Sequence, residues 1–145
     1  MERLTFNTTI DAPREKVWEL LWSDESYRKW TSAFSEGSRA ETDWKEGSRV
    51  LFLGEGEDGM VSKIARNIPN EYMSIAHLGM LTNGVEDLDS EEVRKWSGAL
   101  ENYTLKDVGG KTELFIETDM DESYVEQFKV IWPKALDKLK RMAEQ

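Results

Sequence analysis

The chain has 145 residues, 39% hydrophobic, 33% charged and 10% aromatic, with six Trp and no Cys. Nineteen basic against 29 acidic side chains leave a net charge of -10, a field that repels phosphate and argues against nucleic acid or an anionic membrane as partner. The absence of Cys excludes disulfides, thiolate metal sites and a Cys nucleophile, and the length suits one domain, residues 1–145, with a core that needs no staples.

The opening MERLTFNTTIDAP is charged and lacks an apolar h-region, so no signal peptide is expected. No apolar run approaches the ~18 residues of a membrane span, and a cytoplasmic location is expected by default. Leu4, Phe6, Thr8 and Ile10 alternate with Thr5, Asn7 and Thr9, the period of a half-buried strand. Asp11-Ala12-Pro13 reads as a helix start, with a capping acid and a Pro where its missing N–H costs nothing. A first helix is predicted to about Trp22, with Val17, Trp18, Leu20, Leu21 and Trp22 on a broad apolar face. A second, short helix follows from Ser23-Asp24, placing Tyr27, Trp30 and Phe34 together.

From about Ser38 the period becomes that of strands: 39–43, 49–53, 60–68, 72–81, 98–106 and 111–120. Turns are expected at Lys45-Glu46-Gly47, at Glu55 to Gly59, at Pro69-Asn70 and at Gly109-Gly110. The longer connection from Thr82 to Lys95 contains Asp89-Ser90-Glu91-Glu92, which reads as a cap and first turn of a short helix. If Pro69-Asn70 is the turn, Ile68 opposes Glu71, Ile64 opposes Ile75 and Ser62 opposes His77. If Gly109-Gly110 is the other, Leu105 opposes Leu114 and Tyr103 opposes Ile116. Met73, Ile75, His77, Glu101 and Tyr103 then share the inner face.

The last stretch, Glu122 to Ala143, carries Val125, Phe128, Trp132, Leu136, Leu139 and Ala143 at helical spacing. Its length of about 22 residues makes a helix about 33 Å long, enough to cross a small domain. Pro133 removes one main-chain hydrogen bond and predicts a kink near Trp132.

This order of elements resembles the helix-grip fold of the START-like, or Bet v 1-like (SRPBCC), superfamily, in the branch similar to the C-terminal domain of the activator of Hsp90 ATPase. The resemblance is carried by Ile10-Asp11-Ala12-Pro13, Val17-Trp18-Glu19-Leu20, Lys29-Trp30, the strand from Gly59 to Pro69, Glu101-Asn102-Tyr103-Thr104-Leu105, Gly109 to Leu114 and Trp132-Pro133-Lys134-Ala135-Leu136. It implies an α+β fold: a curved antiparallel sheet wrapped around the long C-terminal helix, with two short helices after strand 1. It also implies a cavity between sheet and helix, used by relatives for apolar molecules, or a surface that binds a protein partner.

The candidate ligand site is therefore Trp30, Ile64, Met73, Ile75, His77, Glu101, Tyr103, Phe128 and Trp132, apolar with a few placed polar groups. The competing reading is that these rings fill the core, where burying each is worth roughly 1.5–3 kcal/mol. His77 is the only histidine, and Glu101 is the inner-face carboxylate it could pair with. The acidic segment from Glu86 to Glu92 reads as a solvated surface helix that could cover a pocket mouth. With no P-loop, no G-x-S-x-G elbow and one His, neither metal nor cofactor is expected. The favoured reading is binding of a small hydrophobic or amphipathic ligand without catalysis. The alternatives are a protein-interaction module of the Hsp90-activator type and an enzyme acting through His77 and Glu101.

Overall fold

A computed structural model describes all residues, Met1 to Gln145. Strand β1 (Glu2–Ile10) leads into helices α1 (Arg14–Trp22) and α2 (Asp24–Trp30), which ends in a 3-10 turn, Thr31–Ala33. Strands β2 (Arg39–Glu41), β3 (Arg49–Leu53), β4 (Gly59–Ile68), β5 (Tyr72–Thr82) and β6 (Val85–Asp87) follow, then the short helix α3 (Glu91–Arg94). The chain closes with β7 (Ala99–Val108), β8 (Lys111–Met120) and helix α4 (Val125–Ala143), which a 3-10 turn, Glu122–Tyr124, introduces.

The strands form one antiparallel sheet in the order β1-β8-β7-β5-β4-β3-β2, with β6 paired to the far end of β5. Its inner face carries Leu4, Phe6 and Ile10 from β1, Ile64 from β4, Met73 and Ile75 from β5, Tyr103 and Leu105 from β7, and Leu114 and Ile116 from β8. Helix α4 lays Trp132, Ala135, Leu136, Leu139 and Ala143 against that face, and α1 and α2 close it with Val17, Leu21, Trp22, Tyr27 and Trp30. The fold is the α+β helix grip. No helix is long and apolar enough to cross a membrane.

The hairpin registers decide which side chains meet. Gly109 and Gly110 both adopt positive φ, 62° and 88°, which a tight β7–β8 turn requires and glycine supplies without strain. Leu105 then opposes Leu114 and Tyr103 opposes Ile116, as the alternation predicts. The β4–β5 turn differs from expectation. It contains three residues, Pro69-Asn70-Glu71, so Ile68 opposes Tyr72 and not Glu71. An irregularity between Ile64 and Arg66 then takes up the extra residue and restores Ile64 opposite Ile75 and Ser62 opposite His77.

Other boundaries depart from the pattern for local reasons. Asp11 does not cap α1: Pro13 is the N-cap, and the Asp11 N–H donates instead to Glu144 at 2.9 Å, tying the start of α1 to the end of α4. Strand β2 stops at Glu41, because Thr42 and Asp43 turn the chain through side chain to main chain bonds to Trp44 and Lys45. The second helix ends at Trp30 and passes into the 3-10 turn before reaching Phe34. Helix α4 runs from Val125 to Ala143 through Pro133 without interruption, the Pro ring on an exposed position.

Candidate functional site

Alternation along β4, β5 and β7 aims four polar side chains into an otherwise apolar interior. Ser62 lies opposite His77, while Glu101 pairs with Ile75, one diagonal step away from His77. Ser62 Oγ is 2.7 Å from His77 Nδ1, His77 Nε2 is 3.0 Å from Glu101 Oε1, and the Tyr103 hydroxyl donates to Glu101 Oε2. A carboxylate only accepts, so His77 Nε2 donates to Glu101, while Ser62 Oγ and His77 Nδ1 share the other hydrogen bond. Every polar atom of the relay thus has a partner.

Burial shapes this relay. Ser62 is fully buried, His77 is 7% exposed and Tyr103 1%. Desolvation pushes the Tyr103 phenol well above its ordinary pKa, and the nearby Glu101 carboxylate pushes it the same way, so Tyr103 stays a donor. The Tyr27 phenol is raised for the same two reasons. Neutral polar groups cost free energy in an apolar interior unless bonded, and here they are bonded to one another.

Aromatic rings enclose the relay. Phe52 meets the His77 imidazole edge to face at 5.9 Å, and Tyr103 touches Trp22 at 4.8 Å, Trp132 at 6.1 Å and Trp30 at 6.5 Å. Trp132 also stacks on Phe6 at 5.8 Å and meets Phe34 edge to face at 4.9 Å. The Trp30 indole N–H donates to the Leu21 carbonyl at 3.2 Å, fixing α2 against α1.

Of the nine residues expected to line a ligand site, Trp30, Ile64, Met73, Ile75, Tyr103 and Trp132 lie in the main core cluster. His77 and Glu101 meet in the relay. Phe128, half-buried near the start of α4, packs at the edge of that cluster, with Phe34 at 5.9 Å and Tyr124 at 6.4 Å. The space between sheet and α4 is thus filled by ring on ring packing. Two surface depressions flank it. One, of about 240 Å³, opens beside Trp22, Tyr27 and Trp44 between α2 and the turn after β2. The other, of about 250 Å³, runs between β1 and α4 past Phe6, Thr8, Pro133 and Lys140. None of the nine residues lines either depression.

Sequence reasoning passed over Trp44 and Phe52, which join α2 to the relay: Trp44 lies 4.7 Å from Trp22, 5.6 Å from Tyr27 and 6.2 Å from Phe52. Trp44 has φ of 61°, a left-handed conformation costing a side chain of this size roughly 1–2 kcal/mol. It is held there by Thr42, which accepts its N–H, and by Asn67, which donates to its carbonyl at 2.8 Å. The Thr42-Asp43 pair ahead of an aromatic is the signal that marks this turn. The acidic segment forms β6 and α3, capped by Ser90, with Glu86 paired to Arg49 at 2.6 Å, and it lines neither depression. No group of three or more His, Asp or Glu side chains is gathered to hold a metal ion.

Solved structures share this fold. The Aha1 dimer from Colwellia psychrerythraea superposes with a TM-score of 0.73 at 19% identity, covering 99% of this chain and 97% of that one. CalU16 from Micromonospora echinospora gives 0.67 at 19% identity, over 99% of this chain and 76% of its own. DynU16, from the dynemicin biosynthetic locus, gives 0.72 at 16% identity over 97% of this chain, which spans 46% of DynU16. At these identities the likeness is one of fold. No curated protein matches the chain in sequence. The sequence model of one family does match, over residues 11–144, and the chain belongs to the family of activator of Hsp90 ATPase homolog 1-like proteins.

Proposed function

We propose that the protein binds a small amphipathic molecule between the sheet and α4, without transforming it. The observation that carries this reading is the Ser62–His77–Glu101–Tyr103 relay, a polar strip enclosed by aromatic rings. Stability alone would be served as well by apolar side chains of similar volume, so the polar set is better explained by a ligand it orients. The apolar part of the ligand would lie among Trp30, Ile64, Met73, Ile75 and Trp132, with Phe128 at the outer end, and its polar group would meet His77 and Glu101. Entry requires the rings to part, and the ligand would replace ring contacts with its own. The biosynthetic locus of DynU16 is in keeping with a small molecule as cargo on this fold.

Native mass spectrometry on gently purified protein tests this reading. A discrete excess mass that disappears on denaturation is expected. A bare chain mass, with no displaceable binding of an apolar fluorescent probe, would overturn it.

A second reading has its own support. Met80, Val85 and Leu88 are 41%, 68% and 44% exposed around the β5–β6 hairpin, beside Glu86, Asp87, Asp89, Glu91 and Glu92. Met80 and Val85 share one face of that hairpin and Leu88 lies on the other, and exposed apolar side chains flanked by acids suit a protein partner with a basic, partly apolar surface, as a co-chaperone role would require. Binding that weakens steeply with salt and is lost in Val85→Lys would favour it. Binding insensitive to both would remove it.

A further inference from the structure

We propose that the free edge of β1 is the surface through which two copies of this chain associate, strand against antiparallel strand, about a two-fold axis at Thr5. It is separate from the interior site and from the β5–β6 hairpin.

The two ends of the sheet are built differently. At one end β2 has three residues, short, as an exposed edge is kept. At the other, β1 pairs with β8 from Glu2 to Ile10 without a register shift. From Leu4 to Ile10 it has no Pro, no charge and no bulge, the devices that blunt a sheet edge. Antiparallel pairing sends the main-chain groups of alternate residues to opposite sides of a strand. The Thr9 carbonyl points away from β8, where Lys140 Nζ donates to it at 2.6 Å. By the same alternation the N–H and C=O groups of Arg3, Thr5 and Asn7 face outward, on exposed residues and with no main-chain partner.

Self-complementarity names the occupant. Lys140 holds the Thr9 carbonyl, so the free groups are centred on Thr5. An antiparallel copy aligned there sets Thr5 against Thr5 and Arg3 against Asn7. That alignment uses the outward groups of all three residues, about six main-chain hydrogen bonds. On the inner face it sets Leu4 against Phe6 of the second copy, and the reverse, an aliphatic–aromatic pair on each side of the axis. No like charges meet. Arg3 is paired with Asp119 at 2.8 Å on its own sheet, and across the axis it faces an amide.

Helix α4 extends the match. Phe6 stacks on Trp132 and Thr9 accepts from Lys140, so α4 runs beside β1 in the same direction. The rises of strand and helix then put Val130 level with Thr5. Val130, Pro133 and Asp137 follow one another at helical spacing along the side of α4 that borders the depression past Phe6. Val130 is 56% exposed there. A two-fold axis at Thr5 brings Val130 and Pro133 of both copies toward one another and covers an apolar side chain that the single chain leaves in water.

Sedimentation equilibrium on the full chain, from about 10 to about 500 μM, is expected to show a reversible monomer–dimer equilibrium. Added salt should tighten it, because two copies each carrying a net charge of -10 repel one another. Thr5→Lys and Thr5→Glu, checked for native circular dichroism, place like charges directly opposite and should each weaken the dimer at least about ten-fold. An equimolar mixture of the two should recover a dimer with one chain of each, a result that pairing at Thr5 requires. Thr5→Pro removes an N–H that β8 does not use, so it should leave the fold intact and abolish association. A wild type that stays monomeric throughout, its edge left to an extended segment of another protein, would overturn the proposal. So would a dimer that persists unchanged in Thr5→Lys and Thr5→Pro, or one that Val85→Lys disrupts instead.

Discussion

His77 Nε2 lies 3.0 Å from Glu101 Oε1, although the two residues stand one diagonal step apart on β5 and β7 and are not opposite in the ladder. Glu101 is long enough to cross that diagonal, and its second oxygen takes the Tyr103 hydroxyl. Removing the carboxylate charge therefore disturbs two donors together. Glu101→Gln is expected to destabilise the protein by about 1–3 kcal/mol and Tyr103→Phe by about 1 kcal/mol. Because the groups share an acceptor, the double variant should lose less than the sum. Urea denaturation at pH 7 checks this, and strict additivity would mean that the relay does not act as a unit.

Arg3 on β1 reaches Asp119 on β8 with two hydrogen bonds, Nε to Oδ1 at 2.8 Å and Nη2 to Oδ2 at 3.2 Å, and the Leu100 N–H adds a third at 3.0 Å. The hydrogen bond from Arg3 is the main reason the Asp119 carboxyl sits below its ordinary range in the folded protein. A carboxyl depressed by folding contributes stability that is fully present above its unfolded pKa of about 4 and is lost as pH falls through the lower folded value. Asp119→Asn should thus lower the melting temperature modestly between pH 5 and 7, as expected of partly exposed pairs, where the estimate is roughly a degree or two. The gap should shrink below about pH 4. A difference independent of pH would assign the effect to packing.

Much of this architecture was legible in the chain because each element keeps one period. Alternation in β5 and β7 placed His77 and Glu101 on the inner face, and paired glycines at 109 and 110 gave the β7–β8 register. The β4–β5 hairpin shows where such reading stops: its turn holds three residues, and the inner pairs Ile64–Ile75 and Ser62–His77 are right only because the irregularity before Arg66 compensates. Local pattern carries no mark of two offsetting shifts. Strand β6 and the Trp44 turn were hidden for a related reason. Both depend on partners distant in sequence, β5 for the one and Asn67 for the other. How tightly the rings pack between sheet and α4 is likewise a matter of side-chain geometry, which hydrophobic spacing does not encode.

The β4–β5 turn itself is testable. Asn70 has φ of 67°, a conformation that Asn tolerates, Gly adopts freely and Ala resists. Asn70→Ala should cost about 1–2 kcal/mol, whereas Asn70→Gly should be neutral within about 0.5 kcal/mol. Chemical denaturation of the two variants distinguishes them, and equal losses would show that the Asn70 side chain, and not its backbone, matters.

Trp132 is the ring on α4 around which the interior closes: 3% exposed, it meets Phe6, Trp30, Phe34 and Tyr103 at once. Truncation removes contacts on several sides of a space that sheet and helix hold open from opposite directions. Trp132→Ala is expected to cost about 3–5 kcal/mol, the sum of lost transfer free energy and an incompletely collapsed cavity. The void would be apolar, roofed by Phe34 and floored by Tyr103, and so should remain dry enough to take a small aromatic molecule. Indole added to the variant should then raise its melting temperature in proportion to the logarithm of concentration, while leaving the wild type unmoved. Recovery of stability would show that the space between sheet and α4 accepts an aromatic guest once one ring is withdrawn. If Trp132→Ala is folded yet indifferent to indole, the surrounding rings have collapsed inward and the interior is a packed core. The ligand proposal would then lose its physical basis.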